Sequence, residues 1–249
     1  MLTQILEIFS ILLLVIVATV FAQSRILGGE EITVDKAPYI VQLRHSKDGF
    51  FCGGALITSR HVVTAAHCLE GYALADITVV AGATSLTDEG VQSQVEDGFM
   101  PAEYDVDTID MDVAVLKLTS ELRGRAIRPI ALCSEPLEPG NLLQISGWGR
   151  VTEQGEISKN LRTVRVPLLP RAECVLRYKR LGENLTNSMM CAYDDNKDAC
   201  TSDSGGPAVF AGELCGIVSW SLGCGHRQAP GIYTDINEVK WFIEQVIES

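Results

Sequence analysis

Asp112-Val113-Ala114-Val115-Leu116-Lys117-Leu118 is a short run rich in Val and Leu, opened by a carboxylate. Val113 to Leu118 reads as a β-strand. Runs of the same kind lie on both sides of it, at Tyr39 to Leu43, Ile77 to Val80, Leu142 to Ser146 and Gly216 to Trp220. Gly, Pro and Asp break the chain between them, Val and Ile dominate, and helical spacing is mostly absent. This pattern predicts an all-β sandwich or barrel. Two stretches read as helix. One is Arg171 to Leu181; the other is the C-terminus, where Ile236, Val239, Ile243, Val246 and Ile247 share a face behind an Asn237 cap. A weak midpoint break runs from Arg128-Pro129 to Pro139-Gly140.

The chain has 249 residues, 47% of them hydrophobic, enough for one or two well-buried domains. Part of that apolar content sits in Ile8 to Ala22, which is too short for a comfortable membrane span and reads as a signal peptide. Cleavage is expected after Ala22. The segment before the run lacks Lys or Arg and carries Glu7, and a retained signal anchor is the alternative. No other segment is long and apolar enough to cross a bilayer, so the remainder is expected to be soluble with no membrane contact, and the signal peptide implies that it is secreted to the extracellular side. Eight cysteines (Cys52, Cys68, Cys133, Cys174, Cys191, Cys200, Cys215 and Cys224) behind a signal peptide read as a disulfide framework. No Cys-x-x-Cys pair occurs, which argues against zinc ligation. The formal net charge of −12 suits a solvated acidic surface or a mild attraction for basic substrates. It argues against nucleic acid as a partner, because phosphate binding needs a basic face. Asn184-Leu185-Thr186 fits the glycosylation acceptor pattern.

Three segments carry chemistry: Val62-Val63-Thr64-Ala65-Ala66-His67-Cys68, Asp112-Val113-Ala114-Val115-Leu116, and Thr201-Ser202-Asp203-Ser204-Gly205-Gly206-Pro207. Ser204 lies between an Asp and two glycines, in a tight turn that a substrate could approach. A serine hydroxyl is a weak nucleophile until a base takes its proton. His67 is the available base. Asp112, at the head of an apolar run, could be buried and orient the imidazole. Singly these are modest signals, since a lone His or Asp is usually structural and an isolated Asp-Ser-Gly is usually a turn.

Taken together, in the order His, Asp, Ser, the segments resemble the chymotrypsin-like (trypsin) family of serine proteases. Arg25-Ile26-Leu27-Gly28-Gly29, Cys52-Gly53-Gly54, Ser146-Gly147-Trp148-Gly149 and Gly231-Ile232-Tyr233-Thr234 match that family in order and spacing, and the resemblance covers nearly all of Ile26 to Ser249. It implies two packed six-stranded antiparallel β-barrels with a C-terminal helix. The implied organisation is a signal peptide (1–22), an activation propeptide (23–25) and a protease domain (26–249). Within that domain the first barrel spans about 26–131, the second about 132–234 and the helix about 235–248.

The resemblance also implies roles. His67, Asp112 and Ser204 would be catalytic, the backbone N–H groups of Ser202 and Ser204 would form the oxyanion hole, and Ser219 would hydrogen-bond the buried Asp112. Cutting after Arg25 would free the Ile26 ammonium to pair with Asp203. Asp198 would floor a pocket for Arg or Lys, although the run Asp194-Asp195-Asn196-Lys197-Asp198 also reads as a plain polar loop. Trp220 and Ser221 would line the substrate cleft and Gly231 would leave one pocket wall open. The implied disulfides are Cys52–Cys68, Cys174–Cys191 and Cys200–Cys224, while Cys133 and Cys215 either pair with each other or remain buried thiols.

No cofactor or metal is implied. Gly82 to Gly90 offers only Asp88 and Glu89 to a calcium ion, and Pro230 stands where sodium-responsive members carry an aromatic residue. Protein or peptide substrates and protease inhibitors are the expected partners of a monomer. Two departures stand out: Ser202 and Ser221 occupy positions where the family usually has Gly, which predicts reduced or selective activity. The rival reading is a catalytically silent homologue acting as a binding or regulatory module.

Overall fold

The computed structural model describes residues 29–150, 155–195, 202–224 and 227–249. The expected leader and propeptide, with Arg25, Ile26, Asp198 and Cys200, lie outside the described residues.

The chain is mostly β. After a two-residue strand, β1 (Glu30–Glu31), come β2 (Ile40–His45), β3 (Gly49–Leu56), β4 (His61–Thr64), β5 (Ile77–Ala81), β6 (Val91–Phe99) and β7 (Ala114–Leu118). Strands β2 to β7 close into an antiparallel barrel in the order β2-β3-β4-β7-β6-β5. Strand β6 shows why the sequence pairs this way: Ser93 and Val95 are buried while Gln92, Gln94 and Glu96 face solvent, the period of two that one-sided burial selects. In β2 the residues Ile40 to Leu43 are all buried, because one face fills the barrel and the other packs on neighbouring structure.

The second half holds β8 (Leu142–Gly147), β9 (Arg162–Pro167), α1 (Arg171–Arg180), β10 (Met189–Ala192), β11 (Pro207–Phe210), β12 (Glu213–Val218), β13 (Gly231–Asp235) and α2 (Ile236–Glu248). Its sheet runs β1-β9-β8-β11-β12-β13-β10. The far strand returns to the near one: Leu168 bridges to Ala192, Leu169 N–H donates to Cys191 O at 2.9 Å, and Tyr193 N–H donates to Pro167 O at 3.1 Å. Strand β1 pairs with β9, so the segment after the expected activation site is anchored to this second sheet.

Helix α2 starts one residue after β13 ends in register. Its cap is Asp235, whose carboxylate accepts Asn237 N–H at 2.9 Å, so the expected Asn237 cap is corrected by two residues. Ile236, Val239 and Ile243 are fully buried in a core shared with Val41 and Leu116 of the first barrel. Each such side chain contributes at most about 1.5–3 kcal/mol. The helix thereby packs against β7 of the first barrel and against β12 and β13 of the second sheet.

Three disulfides lie among the described residues, Cys52–Cys68, Cys174–Cys191 and Cys133–Cys215. The last resolves the two open thiols as a pair and fixes the connection between the halves to β12. Cys224 is also disulfide-bonded, and its expected partner Cys200 lies outside the described residues.

Candidate active site

The register of the first barrel brings His67 to Asp112. Strand β4 runs antiparallel to β7 with Thr64 opposite Ala114, so the residues following β4 and those preceding β7 leave the barrel at the same end. His67 lies in a 3-10 turn, Ala66–Leu69, just past β4. Asp112 Oδ2 is 2.8 Å from His67 Nδ1, and Asp112 Oδ1 accepts the His67 backbone N–H at 3.0 Å. Ser219 Oγ donates to Asp112 Oδ2 at 2.5 Å, and Thr234 Oγ1 donates to the Asp112 carbonyl at 2.8 Å. Asp112 is 1% exposed, and these donors are what make a carboxylate tolerable at that depth. An ionised carboxylate only accepts, so Nδ1 carries the proton and Nε2 keeps its lone pair. Burial pushes the His67 pKa down, but the hydrogen bond and charge of Asp112, with the charge of Glu70, outweigh it, and the net shift is upward.

The Ser204 turn docks on this same end from the second sheet. Gly53 N–H donates to Ser204 O at 2.8 Å, Gly205 N–H to Val218 O at 2.8 Å, and Gly206 N–H to Asp203 O at 2.9 Å. Gly205 has φ +75, and a Cβ there would stand 2.1 Å from Thr64 Oγ1 and 3.1 Å from Ala65 N, so only glycine lets the turn lie against the strand that leads to His67. Among the described residues no hydrogen bond joins Ser204 Oγ to His67 Nε2; hydrogen bonds in unliganded active sites are often long.

Ser202 has φ +76, a conformation that costs a side-chain-bearing residue about 1–2 kcal/mol. The sequence-based expectation of a glycine-favoured geometry at this position therefore holds. Asp203 is buried, and Gly149 N–H donates to its Oδ1 at 2.8 Å. A Cβ on Gly147 would fall 2.1 Å from Asp203 Oδ1 and one on Gly149 2.3 Å from Oδ2, so the two glycines of the Gly-Trp-Gly segment leave room for this carboxylate.

Beyond the catalytic segments, Ser219 N–H donates to Ile232 O at 3.1 Å and Ile232 N–H to Trp220 O at 2.9 Å, which ties this stretch to β13. Trp220 packs edge-on against Tyr178 at 5.1 Å, with Ile109 in the same cluster. Ser221 Oγ donates to Gly223 O at 2.6 Å, which commits the hydroxyl to its own loop. Gly231, buried at the start of β13, pairs with Ala192.

Three features escaped the sequence reading. Thr234, which the sequence marks only as part of a motif, holds the Asp112 backbone. Asp110 anchors the loop before Asp112: its Oδ1 accepts Thr186 Oγ1 and Ser188 Oγ, each at 2.5 Å, and Met111 N–H at 2.9 Å. That anchor accompanies two residues in the left-handed region, Ile109 at φ 56 and Met111 at φ 55, which local sequence does not announce. Glu70, which ends the turn that carries His67 and accepts the Tyr104 phenol at 2.5 Å, carries no motif signal.

A closed barrel and a second sheet, with an imidazole–carboxylate pair on one and a Ser-Gly-Gly turn delivered by the other, define a serine-protease scaffold. The sequence model of the Trypsin family matches residues 26–243. Seminase of Drosophila melanogaster is 40% identical over 231 residues, covering 91% of this chain and 83% of that protein. Trypsin theta of Drosophila erecta is 36% identical over 225 residues, covering 89% and 86%. Trypsin alpha-4 of Lucilia cuprina is 34% identical over 226 residues, covering 90% and 88%. The chain belongs to the trypsin family of serine proteases.

Proposed function

We propose that this protein is a secreted serine endopeptidase, made as a zymogen, that hydrolyses peptide bonds after Arg or Lys through an acyl-enzyme. The observation that carries the reading is the buried Asp112 carboxylate. It is bonded at once to His67 and Ser219, beside the docked Ser204 turn.

Ser204 Oγ attacks the scissile carbonyl carbon while His67 Nε2 takes its proton. The carbonyl oxygen becomes an oxyanion that the N–H groups of Ser202 and Ser204 stabilise; removing one such donor costs about 3–4 kcal/mol in barrier height. The intermediate collapses, the C–N bond breaks, and His67 returns the proton to the leaving amine. Water, deprotonated by the same imidazole, then releases the acid and restores Ser204. Asp112 holds the productive tautomer throughout. Asp198 pairs with the substrate guanidinium or ammonium, and Trp220, Ser221 and Gly231 form the walls around it.

Activation follows from cutting after Arg25, which frees the Ile26 ammonium to pair with Asp203. That charge pair selects the ordered oxyanion loop, because a buried carboxylate is more stable beside an opposite charge. Arg25 itself suits a pocket floored by Asp198, so the mature enzyme activates its own precursor. The leader directs secretion, and the active form is a monomer open to protease inhibitors.

A cleavage profile of the Arg25-cut protein on a peptide library tests this reading. Cutting confined to Arg and Lys supports it, and so does an inert Arg25→Gln protein. Cleavage after apolar residues overturns the specificity, and full activity in Arg25→Gln overturns the zymogen.

A further inference from the structure

Asn184-Leu185-Thr186 is the one acceptor pattern for N-linked glycosylation in the sequence, with Leu rather than Pro at its centre. Its place in the fold is specific. Gly182, at φ +89, ends α1: its N–H donates to Lys179 O at 3.3 Å, and Glu183 N–H donates to Tyr178 O at 3.0 Å. The chain then leaves the helix with Glu183 and Asn184 exposed, while Leu185 and Thr186 turn inward. Among the described residues no protein hydrogen bond takes up the Asn184 amide.

That exposed amide stands on a fixed base. Thr186 O accepts Arg171 Nη2 at 2.5 Å and Met189 N–H at 3.3 Å, and Thr186 Oγ1 donates to Asp110 Oδ1 at 2.5 Å. Leu185 packs on the cluster of Cys174, Tyr178 and Ile232, which Trp220 and Ile109 also cover. Trp220 is a wall of the proposed substrate cleft, and Ile109 belongs to the loop that leads to Asp112. A group attached at Asn184 is therefore rooted at the rim of that cleft, on the side of Trp220.

We propose that Asn184 carries an N-linked glycan that screens the substrate cleft from large folded proteins and leaves it open to short peptides. This rests on the secreted, proteolytic reading above and adds a modification that selects partners by size. The acceptor pattern needs the hydroxyl of its third residue, and in the folded chain that hydroxyl is committed to Asp110. Attachment therefore precedes folding, as the chain enters the secretory route that its leader implies. The donor is an oligosaccharide carried on a polyprenyl diphosphate. Asn184 Nδ2 bonds to the anomeric carbon of the sugar, the bond from that carbon to the diphosphate oxygen breaks, and the lipid diphosphate leaves. The amide gives up one proton to solvent. Thr186 thus serves twice, first in the acceptor pattern and then as an anchor of the loop before Asp112. The attached sugar is bulky and solvated, and its pinned root keeps it over the approach to Trp220.

The test expresses the full chain in a eukaryotic secretory host and cuts it after Arg25. Mass mapping of the peptide that spans Asn184 reads occupancy, with glycan expected on the native protein and none on Asn184→Gln. Both proteins should hydrolyse a short p-nitroanilide peptide ending in Arg with equal kcat/KM. A fluorescently labelled Kunitz-type trypsin inhibitor should associate about 3- to 10-fold faster with Asn184→Gln than with the native protein. Native protein stripped by a peptide N-glycosidase after folding should match the variant, which separates the sugar from any effect of the substitution on folding. A secreted native protein with a bare Asn184 overturns the site, and equal association rates overturn the screen. A glycan-bearing protein that binds the inhibitor but leaves the short peptide uncut defeats the proteolytic reading instead. A chain kept in the cytosol with its leader uncut overturns secretion, and the site with it.

Discussion

Asp112 meets His67 twice, with Oδ2 at 2.8 Å from Nδ1 and Oδ1 at 3.0 Å from the backbone N–H, so one carboxylate fixes both the ring and the turn that carries it. Activity needs a neutral Nε2, so kcat/KM should rise with pH through the His67 pKa. Burial lowers that pKa, but Asp112 and Glu70 raise it further, so the acid limb lies above the ordinary value of 6.5. Asp112→Asn removes the dominant upward influence. The limb should move down, and kcat should fall by about 10⁴-fold, the loss already measured for this substitution in a protease of the same constellation. Because folding raises its pKa, His67 also contributes stability that is fully present below about 6.5 and lost as pH rises through the raised value. A pH–rate profile of both proteins checks the sign; an acid limb below 6.5 in the native enzyme would contradict it.

Ser202 carries φ +76 at the position whose N–H faces the proposed oxyanion. Ser202→Gly should relieve about 1–2 kcal/mol of backbone strain, partly offset by the greater freedom of glycine in the unfolded chain. With Ser221→Gly added, kcat/KM on small Arg substrates should rise. Equilibrium denaturation and steady-state kinetics check the two halves separately, and no gain in rate would show that these serines do not restrain the enzyme.

Gly149 leaves room for Asp203, since a Cβ there would stand 2.3 Å from Oδ2. Gly149→Ala should therefore displace the carboxylate proposed to receive the Ile26 ammonium. Activity after Arg25 cleavage should fall by at least 10-fold, with about 1–3 kcal/mol of lost stability. Full activity in the cut variant would show that Asp203 tolerates displacement.

The Cys133–Cys215 bridge closes a loop with a sequence separation of 82 and ties the inter-barrel connection to β12. Lys240 Nζ donates to Cys133 O at 2.9 Å, so α2 is drawn into the same anchor. Replacing both cysteines by Ser should cost up to about 4–5 kcal/mol by loop entropy and lower the Tm, with kcat at 25 °C little changed. An unchanged Tm would assign the bridge no stabilising role.

Much of this was legible in the sequence because strand chemistry is local. Val113 to Leu118 and Ile77 to Val80 fall within one residue of β7 and β5 on the strength of their β-branched content alone. Helix α1 ends at Arg180 rather than Leu181, which instead caps it. The cap is Asp235 rather than Asn237 because Asp235 serves two elements, closing β13 and opening α2, an overlap that periodicity does not reveal. His67, Asp112 and Ser204 were readable as an ordered set, whereas Asp110, Thr186 and Ser188 were not. Their hydrogen bonds span more than seventy residues and carry no motif. The pairing of Cys133 with Cys215 was likewise a matter of three-dimensional proximity, set by Cys133 N–H donating to Leu214 O at 2.8 Å.

The most direct test of the central claim is covalent labelling of the Arg25-cut protein by a fluorophosphonate probe, with the adduct located by peptide mass mapping. The account predicts one adduct, on Ser204, formed in the native protein and lost in Ser204→Ala and in His67→Ala. A folded, cut protein that takes no label, or takes it on another serine, would contradict it.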